Sequence, residues 1–404
     1  MANSIFWTTA VLSIALFVAS LITFVPDFPK LEIENNGFWR SGPPSDDDDS
    51  IKPFLINIDP SQIDRFKALL KQERLPEPLE GDEIPTSQFS FYKNLTKVLL
   101  DFDWQSHQNF MNTFKQYRTE IEGLNIHFLR ISTPLKKNYI HVPLLILHGY
   151  PGSFWEFFKL IPILSNPSRY GFDFGVKQNI QFDVIIPSLP GFMFSEKPFK
   201  KSFGAPEMIR IIDKLMKRLN VNNYFVHGGQ GLGTDLATLL CSQYPENIRG
   251  LHLSNPYVRP TFSTPTLIRI ALLNSPQSLS HFLMSKWGEH HSTNVTLNRL
   301  FTYDELATTV YLHWLTDASD SLRIVSRLYD GDKTEWLSAQ TNSLPVSIAY
   351  TSESPWNNTR EVLEHKYKNI TRLANLSKGG LYHHLQDAEK VAADIFSFVE
   401  LETM

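Results

Sequence analysis

The chain has 404 residues, enough for one large α/β domain with an insertion, and its hydrophobic content of 42% is ordinary for a globular protein. Its 38 basic and 42 acidic residues nearly balance, which excludes the strongly basic surface expected of a nucleic-acid-binding protein. The single cysteine, Cys241, excludes an internal disulfide and fits a reducing compartment.

An apolar run without charged side chains covers residues 4–26 and is long enough to cross a bilayer as one helix. It has no basic leading region and is longer than the core of a cleaved signal peptide, so we predict a membrane anchor. Lys30 and Arg40 follow the run and no basic residue precedes it, which places the bulk of the chain in the cytosol. Five N-x-S/T sequons leave the opposite orientation open. These sequons begin at Asn94, Asn294, Asn357, Asn369 and Asn375.

The segment after the anchor divides into two parts. Residues 27–50 are polar and include four consecutive aspartates, a pattern that predicts a solvated linker in preference to a calcium site. From residue 51 to 122, helical patterns alternate with proline-rich turns, and no strand alternation precedes Leu124. We therefore expect a helical wrap around a later core.

Strand patterns alternate with helical ones in two stretches, 123–258 and 333–404, and this favours a mostly parallel sheet with crossover helices on both faces. Between residues 259 and 332 the pattern is helical and rich in aromatic residues, which predicts a helical cap inserted into the sheet domain. Besides the strand that enters the glycine cluster described next, the predicted strands cover residues 123–132, 142–147, 182–191, 249–256, 346–353 and 370–377.

The glycine cluster in residues 222–236, NNYFVHGGQGLGTDL, predicts a strand, a sharp turn and a helix. In α/β-hydrolase folds this turn is the nucleophile elbow, which holds one reactive side chain above the sheet. Counting along the strand puts Gln230 at the tip, whereas centring on Gly229 and Gly233 puts Gly231 there. Neither an amide nor a glycine can attack an electrophile usefully. The scaffold is therefore predicted to lack its reactive atom.

Two motifs carry a resemblance to the microsomal epoxide hydrolase family, which includes the insect juvenile hormone epoxide hydrolases. HGYPGS at 148–153 resembles the family's HGWPGS, and PSLPGFMFSE at 187–196 resembles PSLPGYGFSD. The resemblance covers most of the chain. It implies an α/β-hydrolase fold with a helical cap, a helical N-terminal wrap and an N-terminal transmembrane helix, in the endoplasmic reticulum membrane and without a cofactor or metal.

The family opens epoxides in two steps. An elbow aspartate attacks an epoxide carbon to give an ester, and water activated by a histidine paired with an acid then hydrolyses that ester. By resemblance, the backbone NH of Tyr150 belongs to the oxyanion hole and Pro151 keeps the turn rigid. His148 and Gly149 are expected to shape the same turn, with no role for His148 as a base.

The reactive positions depart from the family pattern. By resemblance, Gln230 stands at the nucleophile position, with one extra residue after it, and Leu381 stands at the position of the histidine base. The acid position matches Ser354, with Glu353 one residue short. One of the two cap tyrosines matches Tyr329, and the stretch that bears the other is missing from a shortened cap.

These replacements favour a membrane-anchored pseudoenzyme that keeps the fold and an apolar pocket for a lipid or terpenoid epoxide. The alternative is a working epoxide hydrolase, either through the displaced residues His383, Glu353 or Asp235 or because the gene model is in error at the elbow. Asp235 lies more than a helical turn beyond the elbow, so His383 is the better replacement candidate. A nucleotide-binding domain is a third reading of GQGLG, which lacks the full G-x-G-x-x-G spacing.

Overall fold

The computed structural model describes residues 33–75, 86–134, 137–256, 266–288, 296–329, 336–337, 339–352, 354, 358–376 and 380–404. In these ranges nine strands form one sheet, in the order β1-β2-β3-β5-β4-β6-β7-β8-β9. The strands are β1 Lys52–Phe54, β2 Gln116–Ile121, β3 Leu124–Ile131, β4 Ile140–Leu147, β5 Ile180–Pro187, β6 Tyr224–Gly228, β7 Ile248–Ser254, β8 Asn342–Thr351 and β9 Tyr367–Leu376.

The helices lie before, between and after these strands. They are α1 Pro60–Gln72, α2 Thr86–Asp101, α3 Trp104–Met111, α4 Leu160–Ser165, α5 Ala205–Arg218, α6 Leu232–Gln243, α7 Thr266–Asn274, α8 Pro276–Gly288, α9 Tyr303–Leu315, α10 Ala318–Leu328, α11 Arg360–Lys366, α12 His383–Gln386 and α13 Ala388–Leu401. A 3-10 turn, Phe154–Phe157, precedes α4.

The sheet is mixed. Strands β4 to β9 run parallel, and β1, β2, β3 and β5 pair antiparallel in that order. All eight residues of β5 and all five of β6 are buried, as expected for parallel strands covered by helices on both faces. The predicted α/β-hydrolase architecture is therefore confirmed, with crossover helices between parallel strands.

The expectation that no strand precedes Leu124 is wrong, because β1 and β2 lie in the segment predicted to be helical. Strand β2 forms a hairpin with β3 through a two-residue turn at Glu122 and Gly123, which have φ values of +52° and +77°. Two positive φ values are typical of the hairpin turn that matches strand twist. The usual Asn-Gly or Asp-Gly signal is absent from this turn, so the pattern was missed.

Four helices, α7 to α10, make up the described part of the predicted cap, and no strand occurs there. The hydroxyl of Tyr311 on α9 donates a hydrogen bond of 2.8 Å to the carbonyl oxygen of Leu99 on α2. The cap and the N-terminal helices therefore pack against each other. Among the described residues no helix is long and apolar enough to cross a membrane, and the predicted anchor at residues 4–26 lies outside them.

Candidate active site

The strained residue of the turn between β6 and α6 is Gly231. Its backbone has φ +54° and ψ −114°, a conformation that favours glycine, and α6 begins at the next residue. In α/β-hydrolase folds the residue at this corner carries the nucleophile. The structure thus has Gly231, the residue found by centring on the flanking glycines, at the corner, and Gln230, the residue found by counting along the strand, directly before it. The chain has no side chain at the corner itself.

The frame around the corner depends on glycine. A Cβ atom on Gly233 would lie 2.5 Å from the carbonyl oxygen of Leu147, and one on Gly229 would lie 3.0 Å from the same oxygen. The amide of Gly229 also donates a hydrogen bond of 2.8 Å to it. Because the end of β4 approaches the turn this closely, small residues are required on both sides of Gly231. The close-packed geometry of the elbow is kept, with glycine at its corner.

Gln230 lies against the loop that follows β4. Its side chain is 1% exposed, and a Cβ atom on Gly149 would overlap both its backbone oxygen and its amide group. The amide Nε2 has no hydrogen-bond partner among the described residues. A neutral amide in such a site offers no nucleophile of useful strength.

The His148–Pro151 turn has a cis peptide bond between Tyr150 and Pro151. The backbone N–H of Leu189 donates to Nε2 of His148 at 3.1 Å, so the ring proton lies on Nδ1, which donates to the carbonyl oxygen of Gly149 at 2.9 Å. Burial lowers the pKa of His148 to about 4, so the ring is neutral at neutral pH. Both ring nitrogens therefore bond backbone groups, one in the same turn and one in the loop after β5. The aromatic ring of Tyr150 lies edge-on to that of Phe192.

The carbonyl oxygen of Pro151 joins three parts of the fold. It accepts hydrogen bonds from the hydroxyl of Tyr382 at 2.5 Å and from the indole Nε1 of Trp287 at 3.1 Å. The two aromatic rings stack with centroids 3.9 Å apart. Cap helix α8 and residues 380–387, here called the C-terminal turn, are thus fixed to the loop after β4. Leu381, at the base position by resemblance, is 6% exposed in the hydrophobic core.

His383 is the first residue of α12 and is 1% exposed. Its Nδ1 lies 3.3 Å from the carbonyl oxygen of Gly380 and 3.4 Å from Nδ2 of Asn255, at the end of β7. Nε2 has no hydrogen-bond partner among the described residues. Burial lowers the pKa of His383 to about 4, which leaves a neutral ring. The acid candidate Glu353 lies outside the described residues, and Ser354 is 8% exposed.

Asp235 and Tyr329 form a pair. The hydroxyl of Tyr329, just after cap helix α10, donates a hydrogen bond of 2.6 Å to Oδ2 of Asp235, and both side chains are buried. Asp235 lies in the first turn of α6, where a carboxylate is stabilised by the helix dipole. This carboxylate is therefore engaged with the cap and lies beyond the elbow corner.

The predicted site residues have different contacts. Gln230 contacts the loop after β4, His383 lies beside Asn255, and Tyr329 bonds Asp235. Within the described ranges no group of three or more His, Cys, Asp or Glu side chains has the arrangement of a metal site.

Glu156, which the sequence analysis did not single out, is buried beside the elbow. Its Oε1 accepts a hydrogen bond of 3.3 Å from the amide of Gly149 and would lie 3.1 Å from a Cβ atom on Gly229. Burial raises the pKa of Glu156 to about 8, so the carboxyl group is mostly protonated at pH 7. The available signal was one acidic residue inside the apolar run SFWEFF, and its burial becomes evident only in the fold.

The fold and the elbow define an α/β-hydrolase. A family model described as "alpha/beta hydrolase fold" matches residues 142–352, and one described as "Epoxide hydrolase N terminus" matches residues 51–157. Within this fold the chain belongs to the microsomal epoxide hydrolase family.

Three similar proteins illustrate this membership. Juvenile hormone epoxide hydrolase 2 of Ctenocephalides felis is 25% identical over 98% of this chain and 95% of its own length. Epoxide hydrolase 1 of Sus scrofa is 26% identical over 96% of this chain and 98% of its own. The crystal structure of juvenile hormone epoxide hydrolase from the silkworm Bombyx mori has a TM-score of 0.81 and 25% identity, covering 92% of this chain and 99% of that one.

Proposed function

We propose that this protein binds an apolar epoxide of the lipid or terpenoid class and opens it very slowly or not at all. The observation that supports this most directly is glycine at the strained elbow position, where the family mechanism needs a carboxylate. Without that carboxylate no ester with the epoxide carbon forms. Loss of a hydrolase nucleophile lowers turnover by roughly 10^4 to 10^6.

The state of the other reactive positions supports the same proposal. Leu381 cannot act as a base, and the neighbouring His383 is a neutral, buried ring beside Asn255. His383 with Glu353 remains the basis of the alternative, an active hydrolase in which water attacks the epoxide directly. Asp235 supports that alternative poorly, because its carboxylate accepts the Tyr329 hydroxyl and lies past the corner.

The test is turnover of a styrene-type and a terpenoid epoxide by the purified full chain. Binding is measured in parallel, from the amount of unchanged epoxide that is recovered with the protein. We expect saturable binding and a hydrolysis rate equal to that in buffer. The matched controls are His383→Ala and Gln230→Ala. Turnover well above buffer that is lost in either variant would establish the active alternative, and absence of binding would remove the ligand part of the proposal.

We further propose a single-pass anchor in the endoplasmic reticulum membrane, with the bulk of the chain in the cytosol. The charge-free run at residues 4–26 and the basic residues after it support this. Three sequons in the described part, at Asn94, Asn369 and Asn375, are exposed and would accept glycans if they faced the lumen. In cells the protein should therefore stay in the membrane fraction after carbonate extraction, and endoglycosidase treatment should not change its electrophoretic mobility. A change in mobility would show that the bulk of the chain faces the lumen.

A further inference from the structure

Three buried histidines form a chain of hydrogen bonds in the core. His227 on β6 and His252 on β7 are neighbours in the sheet register, and their Nδ1 atoms lie 2.9 Å apart. On the other side of His227, its Nε2 lies 3.0 Å from Nε2 of His384 on α12. None of the three rings is more than 1% exposed. One line of ring nitrogens therefore connects β6, the strand that enters the elbow, with the C-terminal turn.

The chain ends at a buried carboxylate. Oδ2 of Asp394 on α13 lies 3.0 Å from Nε2 of His252, and Oδ1 accepts a hydrogen bond of 2.7 Å from Nε of Arg372 on β9. Burial by itself favours the neutral acid, but the hydrogen bonds from His252 and Arg372 hold the pKa of Asp394 below its usual value. Asp394 is therefore an ionised acceptor, and it joins the histidines to Arg372, whose side chain is 40% exposed.

The ionised end fixes the proton on every ring. Since Asp394 accepts, Nε2 of His252 carries a proton and its Nδ1 is an acceptor. Nδ1 of His227 must then donate, which leaves Nε2 of His227 as the acceptor for Nε2–H of His384. The remaining nitrogen, Nδ1 of His384, keeps a lone pair and has no hydrogen-bond partner among the described residues.

The surroundings keep the rings of His227 and His384 neutral at rest. Burial lowers the pKa of His227 and of His384 well below the usual value. Phe157 lies edge-on to both rings, with centroids 6.1 Å and 5.0 Å away. Titratable side chains near the histidines include His383, whose ring stacks on that of His384, and Asp387 beside it. They also include Arg372 at the far end, Glu156 in the 3-10 turn with Phe157, and Lys159, which donates a hydrogen bond to the Leu385 carbonyl oxygen.

We propose that His384, His227, His252 and Asp394 form a proton relay between the C-terminal turn and Arg372 on the edge strand β9. A proton taken up at Nδ1 of His384 breaks no hydrogen bond. His384 then passes its Nε2 proton to Nε2 of His227, and His227 passes its Nδ1 proton to Nδ1 of His252. The positive charge thereby reaches His252 beside the Asp394 carboxylate, and a last transfer from Nε2 of His252 would neutralise that carboxylate.

The relay places a proton-exchange path behind the turn that carries Leu381 and His383. His384 follows His383 directly, and their rings stack with centroids 4.4 Å apart. His227 lies three residues before Gln230. Both loops of the candidate site are therefore attached to the same line of nitrogens, so uptake of one proton is felt at both.

Nuclear magnetic resonance of the full chain with ring-15N histidine tests the relay. At pH 7.5 we expect Nε2–H tautomers for His252 and His384, an Nδ1–H tautomer for His227, and couplings across both histidine–histidine hydrogen bonds. The opposite tautomer at any of the three rings would contradict the relay. This measurement needs only the unmodified protein, so it does not depend on the folding of a variant.

A titration separates a relay from three independent histidines. On acidification the ring signals of His227 and His384 should shift with one shared midpoint, because a single proton is distributed along the line of ring nitrogens. In Asp394→Asn that midpoint should fall by about one pH unit or more, since the imidazolium loses its counter-charge. His281→Asn alters a histidine that is not part of the hydrogen-bonded histidine chain. It is the matched control and should leave the midpoint unchanged. Separate midpoints for the two rings, or a midpoint unaffected by Asp394→Asn, would overturn the relay.

Discussion

The hydroxyl of Tyr329 donates a hydrogen bond of 2.6 Å to the carboxylate of Asp235, and this contact ties the end of the cap to the elbow helix. By resemblance Tyr329 would polarise an epoxide oxygen, and Asp235 is a candidate for a displaced nucleophile. Their pairing gives both side chains a structural role, since each satisfies the other in a buried site.

Removing the hydrogen bond between Tyr329 and Asp235 should destabilise the protein. Tyr329→Phe leaves a buried carboxylate short of one donor, and we expect a loss of about 1 to 3 kcal/mol in the free energy of unfolding. Tyr170→Phe, at a side chain that is 51% exposed, is the matched control, with an expected change below about 0.5 kcal/mol. Chemical denaturation measures both. Equal effects of the two variants would argue against the pairing.

Glu156 should make stability depend on pH in the direction opposite to an ordinary carboxylate. Burial raises its pKa to about 8 in the folded protein, so the native state holds the proton more tightly than the unfolded chain. The resulting stabilisation is complete below the unfolded pKa of about 4.3 and is lost as the pH rises through 8. Glu156→Gln removes this dependence.

The measurement for Glu156 is denaturation of wild type and Glu156→Gln between pH 5 and 9. The difference in the free energy of unfolding should move in favour of the variant by about 1.4 kcal/mol per pH unit between pH 5 and 8, and then level off. Glu364→Gln, at a solvent-exposed ion pair, provides the control for general charge effects. A difference that stays constant with pH would show that Glu156 is ionised throughout.

A buried ion pair holds the β2–β3 hairpin to α5. Both oxygens of Glu122, at the hairpin turn, accept hydrogen bonds of 2.7 Å from the guanidinium of Arg210, and the two side chains are 0% and 3% exposed. Glu122→Ala leaves a buried charge without its partner and should cost about 3 to 5 kcal/mol. Glu364→Ala breaks an exposed pair with Arg360 and should cost no more than about 0.5 kcal/mol. Similar losses of unfolding free energy in the two variants would show that the Glu122–Arg210 pair does not stabilise the hairpin.

The sequence predicts those parts of the fold that depend on local pattern. Strands β4 to β7 are apolar runs bounded by turns, and the glycine cluster narrows the elbow tip to Gln230 or Gly231. The β2–β3 hairpin was missed, because its turn uses Glu-Gly and its stability comes from Arg210, far along the chain. The sequence only weakly indicates a role for Glu156, because the burial of its side chain depends on packing between distant parts of the chain.

The histidine chain could not be predicted from sequence at all. His227 and His252 are separated by 25 residues and His384 by a further 132, and only the adjacency of β6 and β7 and the position of α12 bring the rings together. A single histidine in an apolar strand is more often an isolated core residue. Hydrogen-bond chains of this kind depend on sheet register, which the sequence does not specify to one residue.

We expect that no carboxylate of this chain attacks an epoxide. The mass of the intact protein after rapid quenching with a reactive epoxide tests this expectation. Gly231→Asp is the positive control, because it puts a carboxylate at the elbow corner, where the family mechanism has its nucleophile. We predict an unmodified mass for wild type and an ester adduct, one epoxide heavier, for the variant. An adduct on the wild-type chain, mapped to any carboxylate of the candidate site, would show that the protein keeps a nucleophile for the epoxide.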